Sequence, residues 1–481
     1  MLRKTTMAVA VAIATLGISA VSANETSTPT GTVQHIVEGK VVKTIHTYGI
    51  GEMPSVYSPV RHVGGTIPEV YNPFDAKGLA KVELDKSHFL SQKVGDKTTL
   101  GLIGEDVEYT TESVVTDANG VVTWMGNTVD GDGAIISMGP TGDVFGSIYT
   151  DEDTYAIETQ GDESNPEAWL ISQQKSGVKM PTVKGDTEVA HNHTSLDAVV
   201  YIGVKPDGTK VYRDTVTGAL TYVAPPPTPV ANAPIVIDLL YAYSTSFKPR
   251  IDTYVASMTP AMTKAFSDSG MPNVAFRTVG KIEVPYADTE PTTGVPSKMQ
   301  QGLGIWKPVR DMRARVGADL VVFIRPFKQS HVICGQALLN GANQTAFNAN
   351  VANAVVDWGS DGGYGCYGDT MIHEVGHIMG VVHNKETMEE FGLGSVKGVY
   401  EDSYGYAHNY KYGYGGSNCG IADIMSYCFN RKAKYSNPDV IGVTLNNGTK
   451  LYLGVRDVAD ATRTLKITAP KIANFMPKKV Q

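Results

Sequence analysis

The hydrophobic rhythm of the chain changes three times. Met7 to Ala20 is a short apolar run, preceded by Arg3 and Lys4 and followed by the small residues Val21-Ser-Ala23. That pattern predicts an export signal over residues 1–23, too short in its apolar part for a spanning helix. After a polar stretch at Asn24–Gly31, the pattern from Thr32 to about Val223 is rich in β-branched residues. It predicts strands in the run His35–Ile45, at Gly142–Tyr149 and at Thr154–Glu158, with hairpins turning at Asn119-Gly120 and Asp207-Gly208. Residues 24–223 therefore read as a β-rich N-terminal region of one domain or two small ones. Ala224-Pro-Pro-Pro-Thr-Pro229 then breaks any helix or central strand. Residues 224–234 are expected to be an exposed linker, the kind of segment a maturation protease cuts.

A third rhythm begins at Ile235. Ile235–Tyr243 reads as a buried strand, Thr253–Ser267 as a helix closed by Gly270, and Asn273–Val279 and Lys281–Tyr286 as two strands. A helix over Trp306–Arg315, a strand at Ala318–Ile324 and an edge strand within Ala346–Val356 follow. Alternation of this kind predicts a mixed α/β (α+β) domain over residues 235–481.

Composition changes this picture little. Hydrophobic content of 42% and charged content of 19% are ordinary for a folded protein, and a net charge of −8 argues against a general nucleic-acid binder. No second stretch is apolar enough to span a bilayer, so a soluble exported protein is expected, with no membrane role after signal cleavage. All four cysteines, Cys334, Cys366, Cys419 and Cys428, lie in the last third of the chain. An even count in an exported chain predicts two disulfides, with three pairings open.

The candidate chemistry lies in Thr370–His383. If the stretch begins as a helix, His373 and His377 stand one turn apart on one face and can share a metal ion. Glu374 then lies beside the metal rather than on it, placed as a general base for water activated there. Gly380 can end the helix in a left-handed conformation and return His383 as a third ligand. Three histidines with a fourth position open are the donor set of one catalytic zinc ion.

His373, Glu374, His377, Gly380 and His383 match every fixed position of the metzincin signature, and Asp423-Ile-Met-Ser-Tyr427 resembles the methionine turn of that family, with Met425 as its methionine. Smaller pieces, Ala318-Asp-Leu-Val-Val322, Tyr435-Ser-Asn-Pro-Asp439 and Ile472-Ala-Asn-Phe475, resemble bacterial secreted peptidyl-Asp metallopeptidases of the reprolysin-like group. The likeness covers about Ile235 to Phe475. It implies a metzincin catalytic domain, a preceding β-rich prodomain, protein or peptide substrates, and a secreted zymogen. It also implies that an edge strand binds substrate by β-augmentation. Tyr427 matches a tyrosine that some relatives use as a switchable zinc ligand and oxyanion donor; the alternative is a packed tyrosine with its hydroxyl bonded elsewhere. The pairing Cys334–Cys366 with Cys419–Cys428 is favoured, since the second bridge brackets the methionine turn.

Other features carry less. His331 reads as a surface residue, His408 as a loop histidine near the cleft, and His191 with His193 as a loop pair. With no cysteine before Cys334, latency would use a carboxylate, a histidine such as His191, or occlusion. Arg431 and Lys432, just after the methionine turn, are candidates to favour an acidic substrate side chain. Two other functions compete with a peptidase: an exported binding or adhesin protein that retains a metal site, and a zinc deacetylase or amidase. An intact Glu374 argues against the first, and the Met425–Tyr427 pattern against the second.

Overall fold

A computed structural model describes residues 31–37, 40–47, 58–161, 164–179, 181, 187–189, 199–205, 210–214, 220–223, 233–344, 347–410, 419–428, 431–445 and 448–479. The proposed signal, the linker residues 224–232, and His191 and His193 lie outside them.

Alternation of apolar and polar positions folds the N-terminal part into antiparallel strands. These are β1 (Gly31–Val37), β2 (Lys40–Thr47), β3 (Val60–Val63), β4 (Leu79–Leu84), β5 (Lys97–Leu102), β6 (Glu105–Thr116) and β7 (Val122–Asn127). They continue with β8 (Gly133–Met138), β9 (Val144–Tyr149), β10 (Thr154–Gln160) and β11 (Glu167–Ser172). A short helix, α1 (Lys86–Ser91), joins β4 to β5. The sheet runs β1-β2-β6-β7-β8-β9-β10-β11-β4-β3, with β5 also on β6. The run His35–Ile45, in which strands were expected, spans the antiparallel pair β1–β2. The hairpin expected at Asn119-Gly120 joins β6 to β7. Trp124, Ile136, Ile148, Ile157 and Leu170 fill one face of this sheet. Strand β12 (Thr187–Val189) leaves it, and β13 (Val199–Val204), β14 (Lys210–Asp214) and β15 (Leu220–Val223) form a separate three-stranded sheet.

The C-terminal part is mixed α/β. Strands β16 (Ile235–Ser244), β17 (Val274–Val284), β18 (Leu320–Pro326), β19 (Gly335–Leu339), β20 (Asn353–Asp361) and β21 (Tyr364–Cys366) alternate with α2 (Ile251–Asp268), α3 (Val295–Gln301) and α4 (Lys307–Val316). Helices α5 (Asp369–Ile378), α6 (Lys385–Glu390) and α7 (Ala461–Ile472) follow. The sheet order is β12-β19-β20-β18-β16-β17. Strands β16, β17, β18 and β20 are parallel neighbours; β19 and β21 each run antiparallel to β20, and β12 lies parallel to β19. Parallel strands carry helices on both faces, which explains the continuous apolar runs of β16 and β18.

Three expectations are corrected here. Asn273–Val279 and Lys281–Tyr286 are not two strands: the extended backbone runs through Gly280 as β17. The edge strand is not within Ala346–Val356. Residues Ala349–Val351 form a single tight turn, and the strand after it, β20, lies inside the sheet between β18 and β19. The C-terminal part's own strands end on β17 at one side and on β19 at the other, and the five residues of β19 are all buried. His331 is fully buried rather than at the surface: its Nδ1 lies 2.9 Å from Asp357, which also pairs with Arg325.

The two parts share a core. Phe145 and Ile135 from the N-terminal sheet join the apolar cluster of α2, α5 and the central sheet. Phe145 packs against Phe247, Tyr254 and Trp358 with ring centroids 5.0–6.2 Å apart. Thus α2 lies between the N-terminal sheet and the sheet that carries α5.

Candidate metal centre

Helix α5 begins with Asp369 in its first turn and ends in a Schellman motif at Gly380. There the Gly380 N–H donates to His377 O at 2.9 Å and the Val381 N–H to Gly376 O at 3.0 Å, with Gly380 at φ +91°. A Cβ at 380 would also stand 2.3 Å from Val399 Cγ2. The reversal sends the chain back past its own helix, and His383 arrives beside His373 and His377.

All three imidazoles are buried, and their Nε2 atoms stand 3.1–3.2 Å apart. His373 Nδ1 donates to Ile424 O at 2.9 Å and His377 Nδ1 to Val381 O at 2.8 Å. A carbonyl can only accept, so those two rings carry their protons on Nδ1 and aim Nε2 lone pairs at a common point. Lone pairs gathered in this way repel unless a cation lies between them. Ligands about 2.0–2.1 Å from a tetrahedral zinc ion sit roughly 3.3 Å apart, close to the spacing found. The donor set therefore fits a metal ion.

Glu374 is buried next to this cluster. Its carboxylate lies over Gly335 at the start of β19, where a Cβ would come within 2.5 Å of Oε1. The absent side chain leaves the room the carboxylate occupies. Met425 supports α5 from below: a Cβ on Gly376 would stand 2.5 Å from Met425 Sδ and 2.9 Å from Tyr435 Cε1. The turn that holds Met425 is organised by Asp423, which accepts from the Met425 and Ser436 N–H groups and the Ser426 hydroxyl. Burial pushes the Asp423 carboxyl up to about 6, against the lowering effect of those hydrogen bonds.

Tyr427 is half-buried with its ring against His383, centroids 4.8 Å apart, and against Phe391 at 5.5 Å. The structure joins Cys334 to Cys366, which ties β19 to β21, and Cys419 to Cys428, which closes the loop around Met425.

Residues 232–450 match the profile described as metallo-peptidase family M12B, reprolysin-like. Residues 232–450 are a reprolysin-like metallopeptidase domain. A peptidyl-Asp metalloendopeptidase of Pseudomonas aeruginosa is similar to this chain, 26% identical over 264 residues. The match covers 52% of this chain and 41% of that protein, so the chain spans less than half of the relative's length. Among solved structures, metalloproteinase-II from Bacteroides fragilis aligns at a TM-score of 0.39 with 12% identity, over 74% of this chain and 92% of that one. A chain from a chaperone-substrate complex aligns at a TM-score of 0.37 with 19% identity, over 56% of this chain and 38% of that one. At these TM-scores the structural likenesses decide nothing.

Within the metallopeptidase domain the cleft beside the histidines is lined by Ile333, Gly335, Thr370, Glu374, Tyr427 and Arg431, with Pro181 of the N-terminal part at its mouth. His408 is absent from that lining; it pairs with Ile421 in a two-residue ladder. Lys432 also points elsewhere, giving its ammonium to Asp132 of the N-terminal sheet at 2.7 Å. Sequence reasoning missed Gly335, Gly376, Asp423 and Tyr435. Asp423 and Tyr435 flank the methionine turn in sequence, which was a usable signal. Gly335 and Gly376 show their purpose only once another chain segment lies against them.

Proposed function

We propose that the chain is an exported zinc-dependent endopeptidase, made with an N-terminal β-rich prodomain over residues 24–223 and matured in the region 224–234. The observation that carries this reading is the convergence of three buried Nε2 atoms within 3.1–3.2 Å, with the Glu374 carboxylate alongside. His373, His377 and His383 would hold the ion; when bound, zinc supplies the Lewis acidity that makes water nucleophilic near neutral pH and polarises a carbonyl. Glu374 takes the proton from the attacking water and delivers it to the leaving amine, acting first as base and then as acid. Tyr427, on the ring face of His383, is assigned a hydrogen bond to the oxyanion that develops on the scissile carbonyl.

The prodomain reading rests on where the N-terminal segment runs. Lys179 bonds Gly363 and Gly365 across β21, Pro181 borders the cleft, and β12 pairs in parallel with β19 through Thr187–Ala337, Glu188–Leu338 and Val189–Leu339. Strand β19 is the one that would receive an extended substrate by β-augmentation, and β12 already takes its free edge. Among the described residues, occlusion is the route to latency for which there is direct support. Export rests on the sequence of residues 1–23; among the described residues no helix is long and apolar enough to cross a membrane.

The test compares wild type with Glu374→Ala on a peptide library read by mass spectrometry, with zinc content and the protein's N-terminus measured in parallel. The expected result is one chelatable zinc in both proteins and a loss of about 10²–10⁴-fold in cleavage by the variant. A processed, zinc-loaded wild type that cuts no peptide would overturn the peptidase reading in favour of an exported binding protein.

A further inference from the structure

We infer that Val332 is a substrate-contact residue on the rim of the cleft, held in a strained backbone so that its side chain meets an apolar substrate residue. The inference rests on the peptidase reading above and adds a specificity determinant to it. Val332 has φ +62° and ψ −13°, in the left-handed region. The other non-glycine residues with positive φ among the described residues are Asn343, Asn409 and Asp457, types that tolerate that conformation. A β-branched side chain does not tolerate it, and strain of this kind persists only where the surroundings enforce it.

The surroundings here are a clamp with one anchor on each side. Before Val332, His331 is fully buried; its Nε2 donates to Asp288 O and its Nδ1 lies beside Asp357. After it, Cys334 is bonded to Cys366, and its carbonyl accepts from the Asp357 N–H at 2.7 Å. Asp357 on β20 therefore holds both flanks, through its side chain and its backbone.

Packing does not explain a valine between these anchors. Val332 is 42% exposed and belongs to none of the apolar clusters of the described residues. An exposed valine alone means little, but glycine or asparagine would relieve the strain and the chain has neither there. What the valine adds is an apolar surface at a fixed place. The next residues, Ile333, Cys334 and Gly335, border the cleft, and Gly335 lies under the Glu374 carboxylate. Along the chain Gly335 separates Val332 from Ala337–Leu339, the stretch that β12 occupies. An extended substrate that follows this segment past Glu374 reaches Val332 on the side of the cut bond away from that stretch.

The experiment uses matured, zinc-loaded protein and peptides with one fixed cleavable bond. Leu or Ser is placed in turn at each of three positions on either side of it. Wild type should prefer Leu by about fivefold or more in kcat/KM at one position, on one side only. Val332→Asn and Val332→Gly should bring that ratio close to one by raising KM for the Leu peptide, with kcat and zinc content unchanged. Val332→Ile, which keeps an apolar β-branched side chain, should keep the ratio. Both Asn and Gly suit the left-handed backbone, so these variants should melt at or above the wild-type Tm. No Leu preference in wild type, or an unchanged ratio in the Asn and Gly variants, would overturn the contact and leave the peptidase intact. A lower Tm in both variants would overturn the strained valine on which the inference stands. No cleavage of any peptide by wild type would overturn the peptidase reading as well.

Discussion

The N-terminal sheet and the neighbourhood of α5 both bury ionisable side chains, but they dispose of them differently. In the N-terminal sheet, Glu158 accepts from the Tyr71 hydroxyl at 2.5 Å and the Ser360 hydroxyl at 2.9 Å. Glu105 accepts from Tyr155 at 2.6 Å, and Asp153 from the Ser172 hydroxyl and two backbone N–H groups. Burial raises the pKa of all three carboxyls, yet each is closed on protein donors. Around α5 the imidazoles instead direct lone pairs at one another. Buried polar groups closed on protein partners fix a structure; polar groups whose acceptor atoms converge call for an added ion. Burial alone does not separate the two cases.

That contrast is open to direct attack. His377→Ala removes one of three converging donors, and should abolish tight zinc binding and lower peptidase activity by at least about 10³-fold. Circular dichroism should show the fold retained, while zinc titration shows the loss. Retained zinc would mean that the ion sits elsewhere.

Glu158→Ala tests the opposite side. It leaves the Tyr71 and Ser360 hydroxyls buried without their acceptor, so stability should fall by about 3 kcal/mol in denaturant unfolding, with zinc stoichiometry unchanged. A drop in zinc content at unchanged stability would erase the distinction between the two regions.

Gly376→Ala sharpens the comparison within α5. The new Cβ meets Met425 Sδ and Tyr435 Cε1, so a strain of about 2 kcal/mol and weaker zinc retention at constant chelator are expected. Wild-type zinc retention together with wild-type stability would show that Met425 and Tyr435 do not set the position of His377.

The smallest effect concerns Asp319, a buried carboxylate of the metallopeptidase domain that is closed on protein partners. It accepts from Lys478 at 2.6 Å and from the Asp238 N–H at 2.9 Å. Burial, partly opposed by Lys478, raises its pKa from 3.8 to about 6. The folded state then holds this proton more tightly than the unfolded chain. Its contribution to stability is fully present below the unfolded pKa and is lost as pH rises through the folded one. Relative to Asp319→Asn, wild type should lose roughly 1.5 kcal/mol between about pH 4.5 and pH 6. An identical pH profile for the two proteins would place the Asp319 pKa at its ordinary value.

Much of this was legible in the chain itself. The meeting of His373, His377 and His383 beside Glu374, and the turn at Gly380, follow from spacing along one helix and its cap, because contacts within a turn or two need no tertiary information. The β16 strand and α2 were visible for the same reason, as local periodicity. The outer strand β19 was not. Gly335–Leu339 is a five-residue stretch with one polar residue, Gln336, and no alternation, and its identity depends on lying outside β20 and carrying β12 on its open side. His331 was misplaced because its burial depends on Asp357, which lies 26 positions away.

The sequence alone determined which side chains could meet a metal, since helical spacing dictates that geometry locally. It also determined that three segments of different rhythm follow one another. Tertiary structure decided what lies against those side chains: a glycine under the Glu374 carboxylate, a methionine under Gly376, and β12 along β19. These are contacts between segments far apart in the chain. They are set by close packing and by the satisfaction of buried polar groups, and neither leaves a periodic trace along a single strand or helix.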